Sequence, residues 1–352
     1  MIGASSHVTK QRPPPGPAPD FLIVGTPRSG TTLLQRLACE LPGVSVPPET
    51  HFFVLFAPGL LNRRRFPLDR AALWQELQRY EALETSRELD LDLQAVLDDL
   101  EGSCDSVVEL FGALVRHLAG PAGVRGEKTP GHLRWWRPLT RALPQLKVIA
   151  LVRDPRAVVA SNLAVPWGMK RPALLAEMWR HDQSLLGQAR VELGPDRCLV
   201  LRYEDVVAEP EATRNLLAGF LNVGRQSGQA DTPPATPPTR FVHSWEWWKQ
   251  GVFGPVSTER VGAWRNRLST VQAADVTAIC RNEMQVFGYA SSAPSMLSTA
   301  FHLARLGPAD RWRRYRLQRV RRQQLEWIEG QSLQALPGGH AVFFQSASGV
   351  SA

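Results

Sequence analysis

Phe21 to Leu33 reads FLIVGTPRSGTTL, and this stretch decides the fold. The four apolar residues Phe21 to Val24 have the length of a buried parallel strand. Thr32-Leu-Leu-Gln-Arg-Leu-Ala then opens a helix, with Leu33, Leu34 and Leu37 at helical spacing. Between them runs a loop bounded by Gly25 and Gly30 whose one charged residue is Arg28. A strand, a tight loop and a helix start aim backbone N–H groups and the positive end of the helix dipole at one point, which suits a bound phosphate.

Gly25 to Gly30 has the GxxxxG spacing of a nucleoside triphosphatase loop, but Thr31 stands where such a loop needs Lys for the β/γ-phosphates. The positive charge sits inside the loop instead, as Arg28. A second strand-turn-helix follows downstream. Lys147 to Val152, KVIALV, is a β-branched apolar strand; Asp154 is placed to cap a helix, Pro155 fits its first turn, and Ala157-Val-Val-Ala-Ser161 continues it. Arg153 at the strand end and Ser161 about two turns into the helix converge on one ligand only if it lies across the carboxyl edge of the sheet.

Both motifs carry a resemblance. Pro27-Arg28-Ser29-Gly30-Thr31-Thr32 resembles the 5′-phosphosulfate loop of sulfotransferases that use 3′-phosphoadenosine 5′-phosphosulfate (PAPS), and Arg153 with Ser161 eight residues on resembles their 3′-phosphate site. Pro47-Pro-Glu49-Thr-His51-Phe-Phe53 resembles the acidic segment of protein-tyrosine and some carbohydrate sulfotransferases, with Glu49 placed 21 residues after Arg28, as is the catalytic Glu of the protein-tyrosine enzymes. Gly126-Glu-Lys128-Thr-Pro130 resembles the family's Lys-containing loop, and Leu201-Arg-Tyr203-Glu-Asp205 one of its strand ends. Val256-Ser257-Thr-Glu-Arg260-Val-Gly-Ala-Trp264-Arg265 resembles the loop that closes over the nucleotide. Many relatives have Gly-Arg-Trp-Arg there; this chain has Gly262-Ala263-Trp264-Arg265, so Arg260 and Arg265 both stand as candidates for the phosphate contact.

The resemblance implies an α/β fold of the P-loop nucleotide-kinase type, a central parallel sheet flanked by helices. It also implies metal-independent sulfuryl transfer from PAPS to a hydroxyl or amine. Such transfer needs an in-line acceptor, a base for its proton, and cations where charge builds on the bridging oxygen. Glu49 is the expected base, its pKa raised by the apolar wall of Phe52 and Phe53. His132, a few residues after Lys128-Thr129, is the competing base. Arg28 and Lys128 are expected at the transferred group. An ATP-dependent small-molecule kinase and a non-catalytic nucleotide-binding protein are the alternatives.

Composition sets the remaining expectations. The chain has 352 residues, 43% of them hydrophobic, enough for a sizeable core. Residues 1–19 form a proline-rich tail, 20–290 the sulfotransferase domain, and 291–352 a basic C-terminal helical extension. No apolar run reaches the ~18 residues of a membrane span, so a cytoplasmic chain is expected. Protein-tyrosine sulfotransferases of animals, by contrast, sit behind a membrane anchor. Cys39, Cys104, Cys198 and Cys280 are too scattered for a disulfide framework, and the eight histidines show no ligand spacing. Eight of the arginines fall after residue 290; with Leu317, Val320, Leu325 and Ile328 on one side of a helix, that segment is expected to pack by its apolar side and to bind no nucleic acid. The helical stretches at 71–84 and 89–100 are expected to wall the acceptor site. His243 to Trp248 is a candidate lid lined with aromatics, and a homodimer is a possible assembly.

Overall fold

A computed structural model describes residues 18–165, 168–224, 242–244, 246–289, 301, 304 and 307–333. The proline-rich 1–17, the proline pairs at 233–238 and Trp245 lie outside them, as do the side chains of residues 247 and 248.

Five parallel strands form the sheet: β1 (Phe21–Gly25), β2 (Val44–Ser45), β3 (Val124–Lys128), β4 (Lys147–Val152) and β5 (Cys198–Arg202), in the spatial order β2-β3-β1-β4-β5. Residue alternation gives the sheet two buried faces. Leu22 and Val24 of β1 join Val148, Ala150 and Val152 of β4 in the larger core, while Phe21 and Ile23 join Ile149 and Leu151 in the smaller one.

The helices among the described residues are α1 (Thr31–Cys39), α2 (Ala57–Arg63), α3 (Arg70–Glu81), α4 (Leu93–Asp99), α5 (Val107–Ala119), α6 (Trp136–Ala142), α7 (Pro155–Ala164), α8 (Pro172–Leu193), α9 (Tyr203–Ala208), α10 (Pro210–Leu221), α11 (Thr270–Val286) and α12 (Pro308–Glu329). Side chains of α1, α9 and α10 cover the smaller core, and those of α2 to α8 and α11 the larger. The capping chemistry is local. Asp154 accepts from the Arg156 N–H with Pro155 in the first turn of α7, and Ser269 with Gln272 makes a reciprocal capping box on α11.

The order of strands places β1 between β3 and β4, the point at which the chain changes direction across the sheet. The loops that follow β1, β3, β4 and β5 therefore gather at one carboxyl edge, where open α/β sheets bind ligands.

Two expectations about helices are corrected. The 71–84 and 89–100 segments do not wall the site: α3 and α4 turn Leu73, Leu77, Tyr80, Val96 and Leu97 into the core, where burying them is worth more than lining a wet cleft. On α12, Ile328 is buried and Leu325 packs against the core as expected, but Val320 is 41% exposed; Arg314 and Arg321 add ion pairs to α8.

Candidate functional site

The four strand ends open onto one cavity of about 1390 Å³. At its β1 corner the loop runs through positive φ at Arg28 (78°) and Gly30 (101°), a turn that brings the start of α1 under the cavity. Gly30 has no room for a side chain, since a Cβ there would lie 2.6 Å from the Tyr203 ring. Pro27, Arg28, Gly30, Thr31 and Thr32 line the cavity; Ser29 is fully buried beneath. The first N–H groups of α1 have no intrahelical acceptors and point the same way.

Three guanidinium groups crowd this corner. Arg28 Nε donates to Ser161 Oγ at 3.2 Å, and Arg153 donates to the carbonyls of Arg28 (3.3 Å) and Arg260 (2.9 Å) while stacking 4.1 Å from the centre of the Tyr203 ring. Arg153 and Ser161 thus meet through Arg28. Burial lowers the pKa of both Arg28 and Arg153; Arg28 is lowered further by the nearby Arg153 and Arg260, while Tyr203 and Glu204 partly offset the burial of Arg153. Ser29 Oγ and Arg153 Nε are buried without a partner. Unused donors among crowded arginines fit the phosphates of a nucleotide.

The two candidates of the closing loop differ in position. Ser257 and Arg260 line the cavity. Arg265 does not; it is exposed, with its guanidinium 4.8 Å from the centre of the Trp264 ring. Trp264 is also met by Arg156, at 4.2 Å, which is locked in a bidentate pair with Asp154. Arg267, which the motif reading passes over, also lines the cavity.

Glu49 lines the same cavity. Its Oε1 accepts from Lys128 Nζ at 2.5 Å and from Lys249 Nζ at 2.7 Å, and its Oε2 lies 3.5 Å from His51 Nε2. The expected rise in its pKa is corrected: burial does push it up, but Lys128, Lys249 and His51 outweigh burial and hold it below the ordinary carboxylate range. Charges set its basicity, and Phe52 and Phe53 turn away into the core against Phe111. Lys128 is fully buried and does not line the cavity, so its expected contact with the transferred group is corrected to a contact with Glu49. Its pKa falls to about 8 because burial and the nearby Lys249 outweigh the attraction of Glu49. Of the two lysines on Glu49, Lys249 lines the cavity, and it also pairs with Glu246.

His132 is removed from the list of bases. It is fully buried, its Nε2 accepts the Phe53 N–H at 3.1 Å, and its Nδ1 donates to Glu127 at 2.7 Å, which leaves neither nitrogen for an acceptor. Glu127 in turn accepts from Thr50 (2.8 Å) and Thr129 (2.6 Å). The alternation of β3 explains the split, because neighbours on a strand face opposite ways: Lys128 goes to Glu49 and Glu127 to the network that pins the 49–53 segment. His51, held at φ 50° with its N–H on Thr129 Oγ1, is the histidine that lines the cavity.

A family model described as "Sulfotransferase family" matches residues 19–226, more than half of the chain. The chain belongs to the sulfotransferase family. Sulfotransferases move a sulfuryl group, and the family implies PAPS as the co-substrate. The chain is similar to the protein-tyrosine sulfotransferase of Drosophila melanogaster, at 23% identity over 77% of this chain and 52% of the relative. It is also similar to protein-tyrosine sulfotransferase 1 of Danio rerio, at 27% identity over 58% of this chain and 53% of the relative. It spans about half the length of these relatives. In fold it resembles the sulfotransferase domain of the Synechococcus PCC 7002 olefin synthase, with a TM-score of 0.57 and 22% identity over 80% of this chain and 99% of that one.

These relatives overturn the expected cytoplasmic location. They are animal protein-tyrosine sulfotransferases, the branch whose members sit behind a membrane anchor. Among the described residues no helix is long and apolar enough to cross a membrane, which does not restore that expectation.

Four site residues escape motif reading: Lys249, Glu246, His51 and Arg267. Glu246 sits inside the 243–248 segment read as an aromatic lid, and Lys249 directly follows it. The signal for His51 was its place next but one to Glu49, which fixes it on the same turn.

Proposed function

We propose that this sulfotransferase transfers the sulfuryl group of PAPS to a hydroxyl acceptor, with Glu49 as the general base. The observation that carries the reading is one cavity with two chemically distinct clusters: Arg28, Arg153, Ser161 and Arg260 in one, and Glu49 between two lysines in the other. The first has the donors for a 3′,5′-bisphosphorylated nucleotide. PAPS would supply an activated sulfonate whose bond to the bridging oxygen breaks as the acceptor oxygen bonds to sulfur.

The residues divide the remaining work. Arg28, the α1 N–H groups and Lys249 offer positive charge where negative charge builds on the leaving phosphate, with no reorganisation at the moment of transfer. Lys128, buried beneath, holds Glu49 in place. Glu49 takes the acceptor proton. Its resting pKa is low because two ammonium groups share one oxygen; a sulfonate that draws Lys249 away leaves it with fewer counter-charges and a higher basicity.

A tyrosyl hydroxyl is the first acceptor to test, since the relatives are named for it. The test is transfer from sulfur-labelled PAPS to a tyrosyl peptide, simple phenols, sugars and lipids, with label in any acceptor expected. Consumption of ATP with PAPS untouched would reject the reading in favour of a kinase.

A further inference from the structure

Helix α12 packs Leu325, Trp327 and Ile328 at its C-terminal end against the core, while the turns before them combine arginines paired to α8 with exposed aromatics. Its inner side meets α8 through charge: Arg314 pairs with Glu177 at 3.0 Å and Arg321 with Asp182 at 3.2 Å, and both acids are almost fully buried. Its outer side carries Trp312, Tyr315 and Val320, 58, 61 and 41% exposed. At about 100° per residue Tyr315, Trp312 and Val320 all fall on the outward half of the helix, with Arg316 and Arg319 among them. Arg316 lies over the Trp312 ring at 5.3 Å, and Arg311, Arg319 and Arg322 are exposed along the same helix.

From Arg311 to Leu325 there is no acidic residue. Arg313 is neutralised by Asp310, and Arg314 and Arg321 are paired on α8. Among the described residues Arg311, Arg316, Arg319 and Arg322 make no ion pair. Burial cannot account for these exposed groups, because the helix already has an inner face. A solvated basic face does not account for them either, because large aromatic groups held in water lose what burial would give them.

We propose that the outer face of α12 lies on an anionic lipid surface. Tryptophan and tyrosine place an apolar ring at the acyl boundary and a polar edge among headgroups, while the arginines flanking them meet lipid phosphates. The match is of charge and of depth together. Four arginines attract the anionic headgroups, and the apolar rings among them insert only as far as the interface, in keeping with a helix too polar to span. A nucleic acid would use the same arginines but has no use for Val320 between them, and its stacking aromatics are found on grooves that track a strand.

Flotation of the full chain with vesicles tests this. Binding to phosphatidylcholine vesicles containing about one third phosphatidylglycerol is expected, with none to pure phosphatidylcholine. At roughly 1 kcal/mol per arginine near an anionic surface, Arg316→Gln with Arg319→Gln should weaken binding by about 30-fold. Trp312→Ala with Tyr315→Ala should weaken it at least as clearly, with binding of 3′-phosphoadenosine 5′-phosphate unchanged as the control for folding. An exposed residue on another face, Leu216→Ala, should have no effect. Equal flotation of the wild type and both double variants overturns the proposal. So does single-stranded RNA that binds through the same arginines, is indifferent to Trp312 and Tyr315, and is preferred to vesicles at equal phosphate concentration.

Discussion

Arg153→Ala separates a phosphate contact from a structural strut. In the structure the guanidinium does two things: it braces the β1 loop and the closing loop through the carbonyls of Arg28 and Arg260, and it presents a buried, unpartnered Nε beside Ser161's partner Arg28. Loss of the brace weakens any adenine nucleotide by the same factor. Loss of the 3′-phosphate contact weakens only nucleotides that carry that group. A hydrogen bond to a charged group contributes roughly 1.5–3 kcal/mol, so the specific part should be about a 10- to 150-fold loss in affinity. Calorimetry with 3′-phosphoadenosine 5′-phosphate and with adenosine 5′-phosphate, on the wild type and on Arg153→Ala, reads the two parts as a ratio. The preference for the bisphosphate should collapse in the variant. Arg153→Lys should recover little of it, since the planar fork that reaches both loops is lost. An unchanged ratio, with both affinities reduced together, would show that Arg153 only braces the loops.

Further outcomes follow from the same geometry. Glu49 has a folded pKa below its ordinary 4.5, so it contributes stability above about pH 4.5 that is lost as the pH falls; the melting temperatures of wild type and Glu49→Gln should differ at pH 7 and converge on acidification, and a gap independent of pH would contradict the ion triad. His132→Ala removes the hydrogen bond to the buried Glu127 Oε2, and thermal unfolding should show a loss of roughly 1.5–3 kcal/mol, while affinity for 3′-phosphoadenosine 5′-phosphate measured on the folded protein stays near that of the wild type. Arg265→Ala should leave nucleotide affinity intact and Arg260→Ala should lower it; the reverse order would reassign the closing loop. Transfer should persist in excess chelator because Arg28, Lys249 and the loop N–H groups occupy the role magnesium has in kinases, and rescue by magnesium of a chelated enzyme would refute this.

The parallel sheet and its phosphate corner are legible in the sequence because both depend on local rules. FLIVG and KVIALV can only be short buried strands, and the loops after them carry their chemistry within ten residues of the strand end. Glu49 and Lys128 are individually visible for the same reason. Their contact is not, since it joins segments 79 residues apart and depends on which way β3 faces Lys128 rather than Glu127. Lys249 is more remote still, 200 residues from the carboxylate it pairs with, so no local pattern marks it. His132 shows the opposite failure: a histidine at a suggestive distance from a Lys-Thr pair is spent on holding the backbone of Phe53 and the carboxylate of Glu127. Sequence spacing reveals residue type and neighbourhood but not which side chains have already satisfied one another.

The central claim is that Glu49 takes a proton while sulfur moves from PAPS to a hydroxyl. Single-turnover transfer of labelled sulfur to a weakly acidic alcohol or tyrosyl acceptor, at saturating PAPS and with wild type and Glu49→Gln compared, tests it most directly. The account predicts label in the acceptor with the wild type and a rate at least ~10²-fold lower for Glu49→Gln, the lower end of what a positioned base contributes, with affinity for 3′-phosphoadenosine 5′-phosphate preserved. Transfer by Glu49→Gln at the wild-type rate would contradict it.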